Sequence, residues 1–268
     1  MRLHQTARAL AFRALGEARF EDLRASYVAR KIRSGRYRPD EIDLLPQLVG
    51  PGESVIDVGA NLGVYTYNLA VLTGETGRVY AFEAVPETCR ALRRVLPTLG
   101  VAERVEVIEK AAGDRVGSIP FSIPRRADGS VLSGRAAALP DEAPPSGITL
   151  PMTMIDDEIP SDVEISFMKV DIEGAEIFAL SGAERVIAAS QPTLLLEIAP
   201  ALLRRHGMSG ADVQAFLHER GYETYSYDGA RNCLGLAAAG EFSGDLLAVH
   251  PSRAARLEPR LEIGAGEG

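Results

Sequence analysis

Ser54-Val55-Ile56-Asp57-Val58-Gly59-Ala60-Asn61-Leu62-Gly63 decides the fold of this 268-residue chain. Its first half is a short apolar run that ends in an acid and a glycine. A run of this kind, without polar alternation, reads as a strand buried on both faces, as in a parallel sheet. From Leu62 to Leu72 the periodicity becomes helical. Glycine at such a strand-to-helix turn lets the backbone bend sharply and approach a ligand closely. Ligands of open α/β sheets bind just past the carboxyl ends of the strands.

The same alternation continues downstream. Arg78–Phe82 reads as a second strand ending at Glu83. Pro86–Leu99 reads as a helix, with proline where the missing N–H costs nothing. Val105–Ile108 is a third strand. This β-α-β-α-β succession predicts a parallel sheet with right-handed crossovers. Further strands are expected at Gly117–Ile123, Thr149–Met154, Ile165–Val170 and Thr193–Ile198, and helices at Gly174–Ala189 and Ala211–Arg220. Tyr222–Tyr227 and Leu246–His250 read as a closing antiparallel pair. Pro124–Gly147 lacks periodicity and is expected to be a long loop. Upstream, Leu10, Phe12, Leu15, Phe20, Leu23 and Tyr27 fall at helical spacing, and Glu41–Val49 reads as another helix. The expected organisation is an N-terminal helical cap (residues 1–50), a catalytic domain (51–251) and a frayed tail (252–268).

The net charge of −8 argues against nucleic acid as a partner, because phosphate binding needs a basic face. No apolar run approaches the ~20 residues of a membrane span. Cys89 and Cys233 form no metal or redox motif. They are expected to be reduced thiols of a cytoplasmic protein. The N-terminal helices are candidates for covering a site or for a homodimer contact.

Four constellations carry chemistry. In the first turn Asp57 repels a pyrophosphate, and the G-x-G-x-x-G of dinucleotide folds is absent, so the turn suits a cationic, phosphate-free ligand. Glu83, at the next strand tip, is placed to accept hydrogen bonds from a ribose diol. Phe167-Met168-Lys169-Val170-Asp171-Ile172-Glu173-Gly174-Ala175-Glu176 runs an apolar strand into three carboxylates. Asp171 is the first candidate general base; a divalent metal on Asp171, Glu173 and Glu176 is the lesser reading, since no histidine joins them and acids at a helix start also satisfy the dipole. Glu197, ending Leu194-Leu195-Leu196, and His206 are the remaining candidate bases.

Together the motifs Val55–Gly63 with Tyr65, Phe82–Pro86, Lys169–Glu176, Leu196–Ile198 and Gly221-Tyr222 resemble the FkbM-type methyltransferases. The resemblance covers about Ser54 to Val249. It implies a doubly wound, Rossmann-like seven-stranded sheet of the class I methyltransferases, S-adenosylmethionine as methyl donor, and a small hydroxylated acceptor such as a sugar or polyketide. By resemblance Asp57, Gly59, Asn61 and Gly63 line the methionine side with Tyr65, and Glu83 binds the ribose. Ala112-Gly113-Asp114 lies where adenine is contacted, Asp171 sits beside the transferred methyl, and Ser130 and Ser133 fall where relatives carry a segment covering the cofactor. Two rival readings are a nicotinamide-dependent oxidoreductase, disfavoured by Asp57 and the missing third glycine, and a non-catalytic cofactor-binding subunit, disfavoured by the Asp171 cluster.

Overall fold

The computed structural model describes residues 17–37, 39–125, 136–139, 148–228, 233–237, 240, 243–257 and 262–264. Its centre is a nine-stranded sheet. The strands are β1 (Ser54–Val58), β2 (Arg78–Phe82), β3 (Val105–Ile108), β8 (Ile165–Val170), β9 (Thr193–Ile198), β10 (Glu223–Asp228), β11 (Cys233–Leu236), β12 (Gly244–Val249) and β13 (Glu262–Gly264). Their order is β13-β11-β10-β12-β9-β8-β1-β2-β3. Seven of them, from β3 to β10, make the expected doubly wound sheet; β11 and β13 extend its edge. The strands from β3 to β9 pair in parallel, and β12 enters antiparallel between β9 and β10. The chain reverses direction across the sheet between β1 and β8, which opens a crevice at their carboxyl ends.

Strand register sorts the side chains into two cores. Val55, Val79, Ala81, Phe167 and Leu195 face one way. They meet α1 (Glu17–Arg33), α2 (Leu45–Leu48), α3 (Val64–Thr73) and α4 (Pro86–Leu99) through Ala29, Leu45, Leu69 and Leu92. Ile56, Val58, Phe82, Met168 and Leu196 face the other way. There they meet α5 (Ile155–Glu158), α6 (Glu176–Ser181), α7 (Glu184–Ser190) and α9 (Gly210–Glu219) through Ile155, Leu180, Ile187 and Val213. Two further short helices, α8 (Pro200–Leu203) and α10 (Pro251–Leu257), follow β9 and β12. Truncating a fully buried leucine such as Leu69 or Leu92 to alanine is worth about 2–5 kcal/mol. Because α1 buries its face in the same core as the sheet, it is an integral layer of the domain.

A second sheet stands over the crevice. It comprises β4 (Ala111–Ala112), β5 (Gly117–Ser122), β6 (Ala137–Ala138) and β7 (Ile148–Thr153), in the order β4-β7-β5-β6. Three details depart from the sequence reading. The strands near 117 and 149 belong to this small sheet, not to the central one. The helix expected over 174–189 is two helices, because the Asp156 carboxylate accepts from Arg185 N at 2.7 Å and Val186 N at 3.0 Å and so caps a fresh start. The expected frayed tail contains α10 and β13, and β13 is held by pairing with β11. Ser130 and Ser133 lie outside the described residues. No helix among the described residues is long and apolar enough to cross a membrane.

Candidate active site

The turn after β1 is built almost wholly from its own amides. Gly59 N and Ala60 N both donate to Phe82 O at 2.9 Å, and Gly63 N donates to Ala60 O at 2.8 Å. Asn61 N donates to the Glu83 carboxylate at 2.9 Å. Two residues have backbones that demand glycine. Gly59 sits at φ +86°, and a Cβ there would lie 2.0 Å from Asp171 O. Gly63 sits at φ +88°, where a Cβ would meet Leu92 at 2.7 Å. The first glycine therefore lets the β1 and β8 turns touch, and the second seats α3 against α4.

Glu83 is fixed from both sides. One oxygen accepts from Asn61 N, and the other from Val85 N at 2.8 Å. The side chain is 8% exposed yet faces the cavity. Burial pushes its carboxyl up to about 7, against the lowering effect of those two N–H donors. Asp57 lies deeper. It is almost fully buried, accepts from Thr66 Oγ1 at 2.6 Å, and is pushed up to about 6 by burial. Its side chain braces the turn from beneath and does not line the cavity; nor does Gly63.

A cavity of about 930 Å³ lies over the strand tips. That is near the upper end of the ~300–1,000 Å³ of ligand pockets. Among the sequence candidates it is lined by Gly59, Asn61, Tyr65, Glu83, Ala112, Asp114, Asp171, Glu197 and His206. Glu197 is pushed up to about 7 by partial burial and by the negative charge of Asp171. His206 packs edge-on against Phe178, with centroids 5.5 Å apart, and partial burial pushes its imidazole down, toward the neutral form. Lys110 and Arg115, which also line the cavity, are paired with Glu158 at 2.6 Å and with Asp114 at 3.1 Å. Glu176 turns away from the cavity, accepting from Gly174 N at 2.9 Å. Among the described residues no group of three or more His, Cys, Asp or Glu is arranged to hold a metal ion.

Sequence reasoning missed the walls. Tyr37 comes from the segment after α1. Ile119, Phe121, Ala138 and Met152 come from the small sheet. The apolar alternation around Ile119, Phe121 and Met152 was visible, but nothing local says that these strands leave the main sheet to roof the crevice, and Ala138 belongs to a short strand, Ala137–Ala138, inside the stretch expected to be a loop. The two-residue spacing of Lys169 and Asp171 along the strand predicts that both face the same side, and the structure pairs them at 3.4 Å with Lys169 almost fully buried.

A doubly wound sheet whose crevice is rimmed by a buried acid on the second strand defines a nucleoside-binding α/β protein. Residues 57–224, more than half of the chain, match the Methyltransferase FkbM domain model, and the chain belongs to that family. Over 74 residues it is 40% identical to a protein-L-isoaspartate O-methyltransferase of Aeropyrum pernix, a match covering 28% of this chain and 27% of that one. Among solved structures, an FkbM methyltransferase from Methylobacillus flagellatus is 22% identical with a TM-score of 0.48, over 73% of this chain and 43% of the other. The O-methyltransferase TomG from Streptomyces achromogenes is 13% identical with a TM-score of 0.47, over 84% and 89% of the two chains. The chain thus spans about a quarter of the length of the first of these relatives and less than half of the second.

Proposed function

We propose that this chain transfers a methyl group from S-adenosylmethionine to a hydroxyl oxygen of a small metabolite such as a sugar or polyketide. One observation carries the reading: four amides of the first turn, those of Gly59, Ala60, Asn61 and Gly63, are spent inside the protein, while Glu83 is held facing the cavity. A pyrophosphate needs free N–H groups at this helix start, and Gly59, Ala60, Asn61 and Gly63 have none to spare. That speaks against a nicotinamide dinucleotide. A nucleoside without phosphates fits instead. The remaining lone pairs of Glu83 suit a ribose diol, the wall of Ala112 and Met152 suits a base, and Asp171 and Glu197 suit a positive centre.

Once bound, the cofactor supplies a methyl group on a cationic sulfur, so the leaving group is already activated. The protein must then hold the acceptor oxygen in line, where orientation is worth ~7–11 kcal/mol, and take its proton. Asp171, at the tip of β8 and facing the cavity, is the nearest candidate to do so, with Glu197 beside it. Asp171→Asn should keep affinity for S-adenosylhomocysteine and lose ~10²–10⁴-fold in turnover, the usual worth of a general base. Calorimetry with S-adenosylhomocysteine and with NADH, followed by a screen of hydroxylated acceptors, tests the reading. Binding of NADH alone overturns it.

A further inference from the structure

Lys169 is 1% exposed, and its Nζ has no hydrogen-bond acceptor in good geometry among the described residues. Stability alone accounts poorly for it, since an apolar side chain of the same volume does as well as a buried ion pair or better. What surrounds it is acidic. Asp57 of β1 is its register partner, and Asp171, two residues on, brings Oδ2 to 3.4 Å. On the other side its partner is Leu195, so Glu197 shares its face of the sheet. Asp245 of β12 pairs with Glu197. Above, the Tyr65 ring of α3 lies 4.6 Å from Nζ. The Tyr65 hydroxyl donates at 3.3 Å to Glu41, whose charge acts on Asp245. One ammonium thus sits among these carboxyls, of which Asp171 and Glu197 line the cavity.

We propose that Lys169 is a positioning residue: its ammonium anchors Asp171 at the sheet edge as the carboxylate that takes the acceptor's proton, beside Glu197 as the carboxylate that relays it outward. This rests on the methyl-transfer reading only in naming where the proton comes from. The acceptor O–H bond breaks, an O–H bond forms on Asp171, and that proton passes to the carboxylate of the half-exposed Glu197, its neighbour at the tip of β9, and from there to water. The charge of Lys169 lowers the affinity of Asp57, Glu197 and Asp245 for protons. Burial and the neighbouring acids act the other way, and push Glu197 and Asp245 up to about 7.

Lys169→Met removes the charge and keeps most of the volume; Lys169→Arg restores a charge. The Glu197 carboxyl carbon, assigned by its loss in Glu197→Gln, is titrated by NMR from pH 5 to 9 with and without S-adenosylhomocysteine. The wild-type midpoint is expected near 7, and that of Lys169→Met about one pH unit higher, the low end of the effect of a neighbouring cation. Methyl transfer by Lys169→Met should fall at least about tenfold at pH 7 and recover by pH 9, with rescue by Lys169→Arg and S-adenosylhomocysteine affinity within about twofold of wild type. An unmoved Glu197 midpoint, or a loss of turnover equal at every pH, overturns the proposal. If the methionine variant does not fold, Lys169→Gln carries the same titration. Absence of S-adenosylhomocysteine binding by the wild type sinks the methyl-transfer reading instead, and the midpoints remain readable without it.

Discussion

Gly59→Ala puts the contact between the first turn and the catalytic strand to the test. Two separable penalties arise. At φ +86° an alanine sits in the left-handed region, at a cost of ~1–2 kcal/mol. Its Cβ would also stand 2.0 Å from Asp171 O, where carbon and oxygen normally keep ~3.3 Å, so the Asp171 backbone must retreat by about 1.3 Å. A displacement of ~1 Å at a reacting group can cost ~10²-fold in rate. Gly100→Ala is the control: its φ is +77°, at the end of α4, with nothing within 4 Å of the added Cβ. Both variants should lose a few degrees in melting temperature, at ~2–4 °C per kcal/mol for a domain of this size. Only Gly59→Ala should also lose about a hundredfold in turnover and bind S-adenosylhomocysteine more weakly. Differential scanning fluorimetry and calorimetry read the two effects. Equal behaviour of the two alanines would show that the β1–β8 contact is not what the glycine serves.

Further outcomes follow from the buried acids and the histidine. Glu83 is raised from 4.5 to about 7 in the folded protein, so its contribution to stability is full below about pH 4.5 and lost as pH rises through 7. Glu83→Gln should remove that pH dependence, lower the melting temperature of the ligand-free protein at acidic pH because its amide nitrogen cannot accept from one of the two N–H donors, and weaken S-adenosylhomocysteine binding. Asp57→Asn should flatten the same fall in stability between about pH 4 and 6, and keep a larger share of ligand affinity because it does not face the cavity. His206→Gln should raise the acceptor KM and leave S-adenosylhomocysteine affinity unchanged, since the ring lies against Phe178 at the cavity wall; a turnover collapse matching that of Asp171→Asn would move the general base to His206.

The central sheet was legible because its strands are buried on both faces and carry uninterrupted runs such as Val55–Val58 and Leu194–Leu196. The tips were legible too, since an acid or glycine at the end of such a run has few structural uses. Three things were not. Asp57 looked like a ligand group because sequence shows where a strand ends but not which face its last residue takes; register with Lys169 turns it beneath the turn. The break between α6 and α7 depends on Asp156, nearly thirty residues away, which no local period reveals. The roof strands alternate like any half-exposed strand, and only long-range pairing assigns them to a second sheet.

That second sheet has a consequence for how the molecule can change. It enters the chain between β3 and β8, and supplies part of the apolar ceiling through Ile119 and Phe121; among the described residues it contributes no hydrogen bond to Glu83 or to the glycine turn. Substitutions at these two positions can reshape the guest's half of the chamber while Ala112 and Met152, on the donor's side, stand still. Exchanging residues 119–121 between relatives is accordingly a short route to a new acceptor preference on an unaltered chassis.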